Sequence, residues 1–247
     1  MLTRLTPRFV PKVWGSTHLE PWYPDAGEKI GEVWFERLPG VSDLPLLIKF
    51  LFTTEALSVQ VHPEGKTEMW HILAANPGAK IAAGFREKIS EERLRASALS
   101  GEIEDLLEWF EARPGDTFFV PAGTVHAIGA GLVLCEIQQR SDITYRLFDY
   151  GRPRELQLDQ GVRVSRRSSH AARQKAREGV LVSCPYFTTE KLRVEGEAHC
   201  AAGRTIILLD GSLKIGGQPA RAGEAWYAEP GGSAVQLTGQ ATVLLTS

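Results

Sequence analysis

The chain has 247 residues, 43% of them hydrophobic, which is enough for a sizeable core in one domain or two. Lysine and arginine number 28 against 30 aspartates and glutamates, a net charge of −2 with the signs intermixed, so composition gives no general drive towards nucleic acid or an anionic membrane. Three cysteines without a CxxC pair fit free thiols rather than a disulfide framework, no apolar run approaches the ~20 residues of a membrane helix, and the opening MLTRLTPRFVPKVWG has no signal-peptide core, so a soluble cytoplasmic protein is expected.

Strand-like runs dominate, rich in β-branched and aromatic residues and punctuated by Gly, Pro and Asp. In chain order they are 32–37, 45–52, 57–62, 69–74 and 80–85. A helical insertion follows. Ser90 before Glu91 and Glu92 reads as an N-cap with acids in the first turn, where they complement the helix dipole. Leu94, Ala98 and Leu99 recur at helical spacing, as do Ile103, Leu106, Leu107 and Phe110 after a break at Gly101. Pro114-Gly115 ends the pattern. Further strands are expected at 117–120, 133–138 and 144–149. A weaker helix at 156–173 separates these from a second β-rich half, with strands at 186–193, 204–209, 212–215, 224–228, 234–237 and 242–245. Many short strands with regular turns indicate a sandwich or barrel. The basic run RVSRRSSHAARQKAR at 163–177 reads as a solvated face, or alternatively as an anion-facing or partner-facing patch.

Two stretches carry chemistry. In SVQVHPEGKTEMW, residues 58–70, side chains alternate faces along the strand. Val59 and Val61 take one face; Ser58, Gln60 and His62 take the other. Glu68 follows a short turn and opens the next strand, which can lie antiparallel to the first. In GDTFFVPAGTVH, residues 115–126, an apolar strand runs into a tight turn and His126 opens another strand. Gln60, His62, Glu68 and His126 together offer two imidazole nitrogens, a carboxylate oxygen and an amide oxygen. That donor set suits a divalent first-row metal, zinc above all. Taken singly, QxH is an exposed polar face and PxGxxH a turn followed by an ordinary histidine. His18, His170 and His199 lie in loop-like or charged contexts, and His71 faces away from Glu68 and Trp70.

Gly115, Pro121, Gly123 and His126 meet the pattern G-x5-P-x-G-x2-H, and a strand reading x-Q-x-H-P with an acid six residues on precedes it. The pair resembles the two metal motifs of the cupin superfamily, with Gln60 in place of the first histidine. LSVQVHP, GKTEMW, VPAGTVHAIGAGL and QQRSDITYRLFDYGR, with VWG, GEVW and YFTTEKL, resemble the type I mannose-6-phosphate isomerases of the short bacterial kind along essentially the whole chain. The resemblance implies a mainly β fold: a cupin double-stranded β-helix, or jelly-roll, barrel with a short helical insertion and a second, degenerate cupin-like β domain. The divisions are 1–155, carrying the metal, and 156–247, where GEAWYAEPGG echoes the cupin turn but Val235 stands at the histidine position, so no metal is expected there.

It further implies one zinc ion held by Gln60, His62, Glu68 and His126, a catalytic Arg146, a pocket carboxylate Glu136, and Ser58, Lys66 and Lys49 as substrate-binding residues. The implied activity interconverts mannose 6-phosphate and fructose 6-phosphate through an enediol. Glu136 is the first choice for proton transfer, with a structural partnership as its other role. A lysine inside PLLIKFL needs a partner in any case. The expected partner is a small hexose phosphate, with neither nucleic acid nor membrane, on a monomer or weak homodimer. One departure matters: Pro63 is followed at once by Glu64-Gly65-Lys66, where the family usually has a dozen or so more residues, so a piece of the pocket rim is missing. That keeps a non-catalytic or altered-specificity sugar-binding cupin as a rival. An iron cupin oxygenase, which would more often carry HxH, and a plain structural protein are the others.

Overall fold

The computed structural model describes residues 1–38, 43–170, 172–175 and 177–247. In chain order its strands are β1 (Leu2–Arg4), β2 (Thr6–Ser16), β3 (Ile30–Glu36), β4 (Leu46–Thr53), β5 (Val59–Val61), β6 (Glu68–Ala75), β7 (Lys80–Phe85), β8 (Leu107–Glu111), β9 (Thr117–Val120), β10 (His126–Ile128), β11 (Leu132–Gln139) and β12 (Tyr145–Phe148). They continue as β13 (Arg173–Gln174), β14 (Gly179–Ser183), β15 (Thr188–Cys200), β16 (Thr205–Ile215), β17 (Gln218–Arg221), β18 (Ala225–Ala228) and β19 (Val235–Thr246). The helices are α1 (Glu91–Ser100), α2 (Ile103–Leu106) and α3 (Leu158–Val164).

The strands form three antiparallel sheets that stack in layers. The middle sheet runs β13-β9-β6-β11-β4-β3-β2, the second β12-β5-β10-β7-β8, and the third β1-β18-β16-β19-β15-β14 with β17 beside β16. Period-two alternation decides which core each side chain joins. On the middle sheet, Ile48, Phe50, Phe52, Met69 and Ile137 turn towards Ile207, Leu209, Tyr227 and Leu244 of the third sheet. The opposite face sends Leu51, Trp70, Ile72 and Leu134 against Ile81, Ala83 and Ile128 of the second sheet. The outer face of that second sheet, with Val59, Val61, Ala82 and Ala127, is covered by Leu94 and Ala98 of α1, Ile103 of α2 and Val162 of α3. A fourth cluster fills the third sheet's own interior, around Val194, Leu208, Leu213 and Val243.

This layering explains β4, every residue of which is buried. One face meets the third sheet and the other lines the barrel, which is where Lys49 sits. Phe50 is 0% exposed and meets Phe35 edge-on at 5.2 Å. Phe50→Ala is expected to cost about 3–5 kcal/mol, the transfer and cavity cost of a large core aromatic. A urea unfolding midpoint shifted by less than the equivalent of ~1 kcal/mol would contradict that assignment.

Two local expectations are corrected. The helical pattern after Gly101 holds only through α2; residues 107–111 form strand β8. Leu107, Trp109 and Phe110 satisfy either period, and pairing with β7 selects the extended one, sending Trp109 to the helix side and Phe110 into the barrel. The helix expected at 156–173 is only α3. It is followed by strand β13, which pairs with β9. By contrast α1 is as expected, with Ser90 Oγ accepting from Arg93 N and Gly101 closing it at φ 90°. The strands expected at 204–209 and 212–215 are one element, β16, and those at 234–237 and 242–245 are likewise β19.

In the basic run Arg173 pairs with buried Asp116 at 2.7 Å and Arg167 approaches Glu91 at 4.0 Å, the behaviour of a solvated, paired segment; residues 171 and 176 lie outside the described residues. The division at 155/156 remains a proposal, and the halves exchange strands: β1 joins the third sheet beside β18, and β13 joins the middle one. All three cysteines are free. Among the described residues no helix is long and apolar enough to cross a membrane.

Candidate metal centre and active site

The second sheet brings one row of side chains together. In β12-β5-β10, Arg146 lies opposite Gln60, and Gln60 opposite His126. Residues in register share a face, so all three leave the sheet on the barrel side. Glu68 reaches them from the middle sheet. The expectation that β6 lies antiparallel beside β5 is therefore corrected: the two strands belong to facing sheets, and residues 62–67 cross from one to the other. Gly65 at φ 91° makes that turn, and Gly123, at φ 84° with room for no Cβ beside Val164 O (2.9 Å), donates its N–H to the His62 carbonyl.

His62 Nε2 stands 3.4 Å from one Glu68 oxygen and His126 Nε2 3.5 Å from the other. The ligand atoms of the three residues lie within 4.8 Å of one another, and all three residues are buried. Each imidazole has its other nitrogen engaged, His62 Nδ1 donating to Ile143 O at 3.0 Å and His126 Nδ1 to Thr124 O at 2.8 Å. That fixes the Nδ1–H tautomers and turns both Nε2 lone pairs inward. Burial, reinforced by His62, pulls the His126 pKa down to about 3, so this imidazole is neutral. Burial opposes ionisation of Glu68, but the basic groups around it, the Lys66 ammonium at 3.9 Å among them, hold its carboxyl well below the usual carboxylate range.

Nitrogen lone pairs therefore face carboxylate oxygens, and His62 Nε2 and both Glu68 oxygens are buried with no hydrogen-bond partner among the described residues. A buried carboxylate whose oxygens accept no hydrogen bond, with the Lys66 ammonium no nearer than 3.9 Å, is costly unless a further cation sits among these atoms. The residues present fit a divalent metal. Gln60 is the fourth candidate donor; its Nε2 lies 3.3 Å from His126 Nε2 while its Oε1 accepts from Ser58 Oγ at 3.1 Å. Coordination through oxygen exchanges the two ends of the amide, and the Ser58 hydroxyl can serve either end.

Beside this centre opens a cavity of about 640 Å³, walled by both barrel sheets and lined in part by Ser58, Gln60, Lys49, Lys66, Glu136 and Arg146. Register across the middle sheet places Arg8, Trp34, Lys49, Glu136 and Trp70 in one row on its barrel face. Lys49 finds the partner its burial requires: Nζ is 3.0 Å from Glu136 Oε1 and 4.7 Å from the Trp34 ring centroid. Burial would lower its pKa, but Glu136, then Glu32, outweigh that and raise it. Trp70 Nε1 donates to the other Glu136 oxygen at 3.1 Å. Lys66 is shifted the other way: burial lowers its pKa despite Glu68 at 3.9 Å. Arg146 donates Nη1 to Glu155 O at 2.7 Å, and its Nε is buried with no hydrogen-bond partner among the described residues.

All nine residues singled out in the sequence thus line one cavity or the centre beside it, and His71 is excluded as expected. His71 is buried on the other face, bonded to Thr117 Oγ1 at 2.9 Å, with burial holding its pKa near 4. The short connection after Pro63 is covered by residues 139–144. Gln139 Oε1 accepts from Thr67 N, Thr144 Oγ1 accepts from Lys66 Nζ at 3.4 Å, and Ile143 O takes His62. Sequence reading missed Arg8, Glu32, Trp34, Asp142 and Arg154 of the cavity wall. For two of them a signal exists: Glu32 and Trp34 alternate with buried Val33 and Phe35, the same polar-inward pattern as Ser58, Gln60 and His62.

Comparison with known proteins gives consistent results. No family model matches the chain. It is 38% identical over 179 residues to a mannose-6-phosphate isomerase of Streptococcus mutans, covering 63% of this chain and 56% of that protein. It is 35% identical over 215 residues to a mannose-6-phosphate isomerase of Bacillus subtilis, covering 74% and 68%. The chain thus matches little more than half the length of the first relative and about two thirds of the second. The crystal structure of the mannose 6-phosphate isomerase from Bacillus subtilis superposes with a TM-score of 0.85 at 28% identity, covering 100% of this chain and 99% of that one. A phosphomannose isomerase variant from Salmonella typhimurium shares the fold, with a TM-score of 0.79 at 16% identity over 99% of this chain and 98% of that one.

Proposed function

This chain belongs to the mannose-6-phosphate isomerase family, and from that premise we propose that it is a zinc-dependent enzyme interconverting mannose 6-phosphate and fructose 6-phosphate through an enediol. The observation that carries the reading is the set of orphaned atoms, His62 Nε2 and both Glu68 oxygens, at a cavity lined by Lys49, Lys66 and Arg146. Lone-pair donors without protons beside a basic pocket suit a metal and an anionic sugar, and a structural role would not require them.

His62, Glu68, His126 and the Gln60 amide would hold the ion, which when bound supplies a Lewis acid for the sugar oxygens. Arg146, in register with Gln60, places a fixed positive charge where negative charge grows on the oxygens of the adjacent carbons. Glu136 takes the proton from C2 of the aldose and returns it to C1, while the hydroxyl proton on O2 moves to O1. Lys49, 3.0 Å away, holds the carboxylate in place. Ser58 and Lys66 hold sugar hydroxyls, and the walls of the facing sheets limit water.

The test is a coupled assay for fructose 6-phosphate with and without a chelator. Activity on mannose 6-phosphate is expected to disappear on chelation and return with one equivalent of zinc. A metal-replete protein inactive on every hexose phosphate tried would overturn the reading and favour the sugar-binding rival.

A further inference from the structure

A second feature of the cavity wall has no part in the chemistry above. Asp149 follows β12 and is 3% exposed. Its carboxylate is shared by two arginines, Arg152 through Nε (3.2 Å) and Nη2 (2.7 Å) and Arg154 through Nη2 (2.5 Å) and Nε (2.6 Å). The two arginines then part. Arg152 donates Nη2 to Ala56 O at 2.9 Å and lies 5.3 Å from the Tyr150 ring, which ties it into the loop. Arg154 lines the cavity together with Arg146, Ser58 and Thr144. Asp149 occupies its Nε–Nη2 edge, and among the described residues its Nη1 has no hydrogen-bond partner.

The charges do not balance locally. Arg146, Arg152 and Arg154 are close enough that, after burial, the other two arginines depress the Arg146 pKa, and Asp149 and Glu155 only partly offset them. One buried carboxylate holding two guanidiniums leaves net positive charge on the wall of a cavity of substrate size that Arg154 lines. A guanidinium with an open edge matches a phosphate dianion in geometry and charge.

We infer that Arg154, oriented by the buried carboxylate of Asp149, takes the phosphate group of the substrate and gives this site its preference for phosphorylated over free sugars. Arg154 is then a binding residue and Asp149 a positioning residue. The inference rests on the isomerase reading for the identity of the sugar, though not for the anion.

The experiment uses the zinc-loaded full chain, with inorganic phosphate as the probe in a calorimetric titration and mannose 6-phosphate in steady-state kinetics. Arg154→Gln is expected to weaken phosphate binding tenfold or more. It should raise KM by a similar factor, larger than any fall in kcat, and Arg154→Lys should restore part of both. Asp149→Asn should show the same KM-weighted loss with Arg154 still present, which a merely structural role would not produce. Phosphate affinity and KM within twofold of wild type in Arg154→Gln would overturn the inference and leave the isomerase standing. If the wild type turns over no hexose phosphate, the isomerase reading fails while the phosphate titration still decides this one.

Discussion

Glu68→Gln is expected to empty the metal centre and lower isomerase turnover by about a thousandfold, the scale of losing several kcal/mol of charge stabilisation at the reacting oxygens. Glu68 is the one carboxylate in the proposed donor set, and each of its oxygens faces a different imidazole, at 3.4 Å and 3.5 Å. The amide keeps the shape and removes the charge. Lys66 Nζ lies 3.9 Å from this carboxylate and helps hold it ionised, so the metal-free variant loses that pairing and should unfold somewhat more easily than the metal-free wild type. The wild type, by contrast, should gain on the order of 4 kcal/mol when zinc is present at about a thousand times its Kd, and the variant should gain almost nothing. Elemental analysis and thermal unfolding with and without zinc read both effects. A variant that retains one equivalent of metal would show that Glu68 is not a ligand.

Arg146→Ala should reduce kcat by about 10²–10³, the usual cost of deleting one preorganised charge-stabilising group, with metal content unchanged. The separation follows from the sheet. Arg146 shares a row with Gln60 but contributes no atom to the His62–Glu68–His126 cluster. Arg146→Lys should recover little of the loss. The guanidinium is held by its Nη1 bond to the Glu155 carbonyl and presents its other donors in a fixed planar fork, which the flexible point charge of an ammonium does not reproduce. Full metal with normal turnover in Arg146→Ala would reassign the residue to packing. Against Glu68→Gln the two signatures are opposite in metal content, so one preparation of each separates binding of the ion from use of it.

The candidate centre was legible in the chain as two local motifs, which the cupin resemblance joined into one site. Gln60 and His62 stand two apart on a strand, so they must share a face whatever the rest of the fold does. Pro121 and Gly123 mark the turn that delivers His126 at the start of β10. The helix cap at Ser90 and the stop at Gly101 were legible for the same reason, each being a hydrogen-bonding requirement met within a few residues. The assignments of Arg146, Glu136, Lys49, Lys66 and Ser58 had a different source, the family resemblance. No spacing argument reaches them, because each depends on which strands become neighbours. Strand β8 shows the limit plainly: Leu107, Trp109 and Phe110 fit a helix or a strand, and only the presence of β7 alongside decides.

Sequence alone determined the alternation of faces and the turns, since these follow from backbone geometry over short distances, while the pairing of candidate donors remote in the chain came from the family resemblance. Tertiary structure decided that β5 and β6 lie in facing sheets, that Lys49 meets Glu136, and that one carboxylate at position 149 shares its charge between two arginines while leaving one of them open to the cavity. Those outcomes depend on pairing and stacking between segments remote in the chain. The energy of such contacts is settled only when every layer of the barrel has been assembled around them.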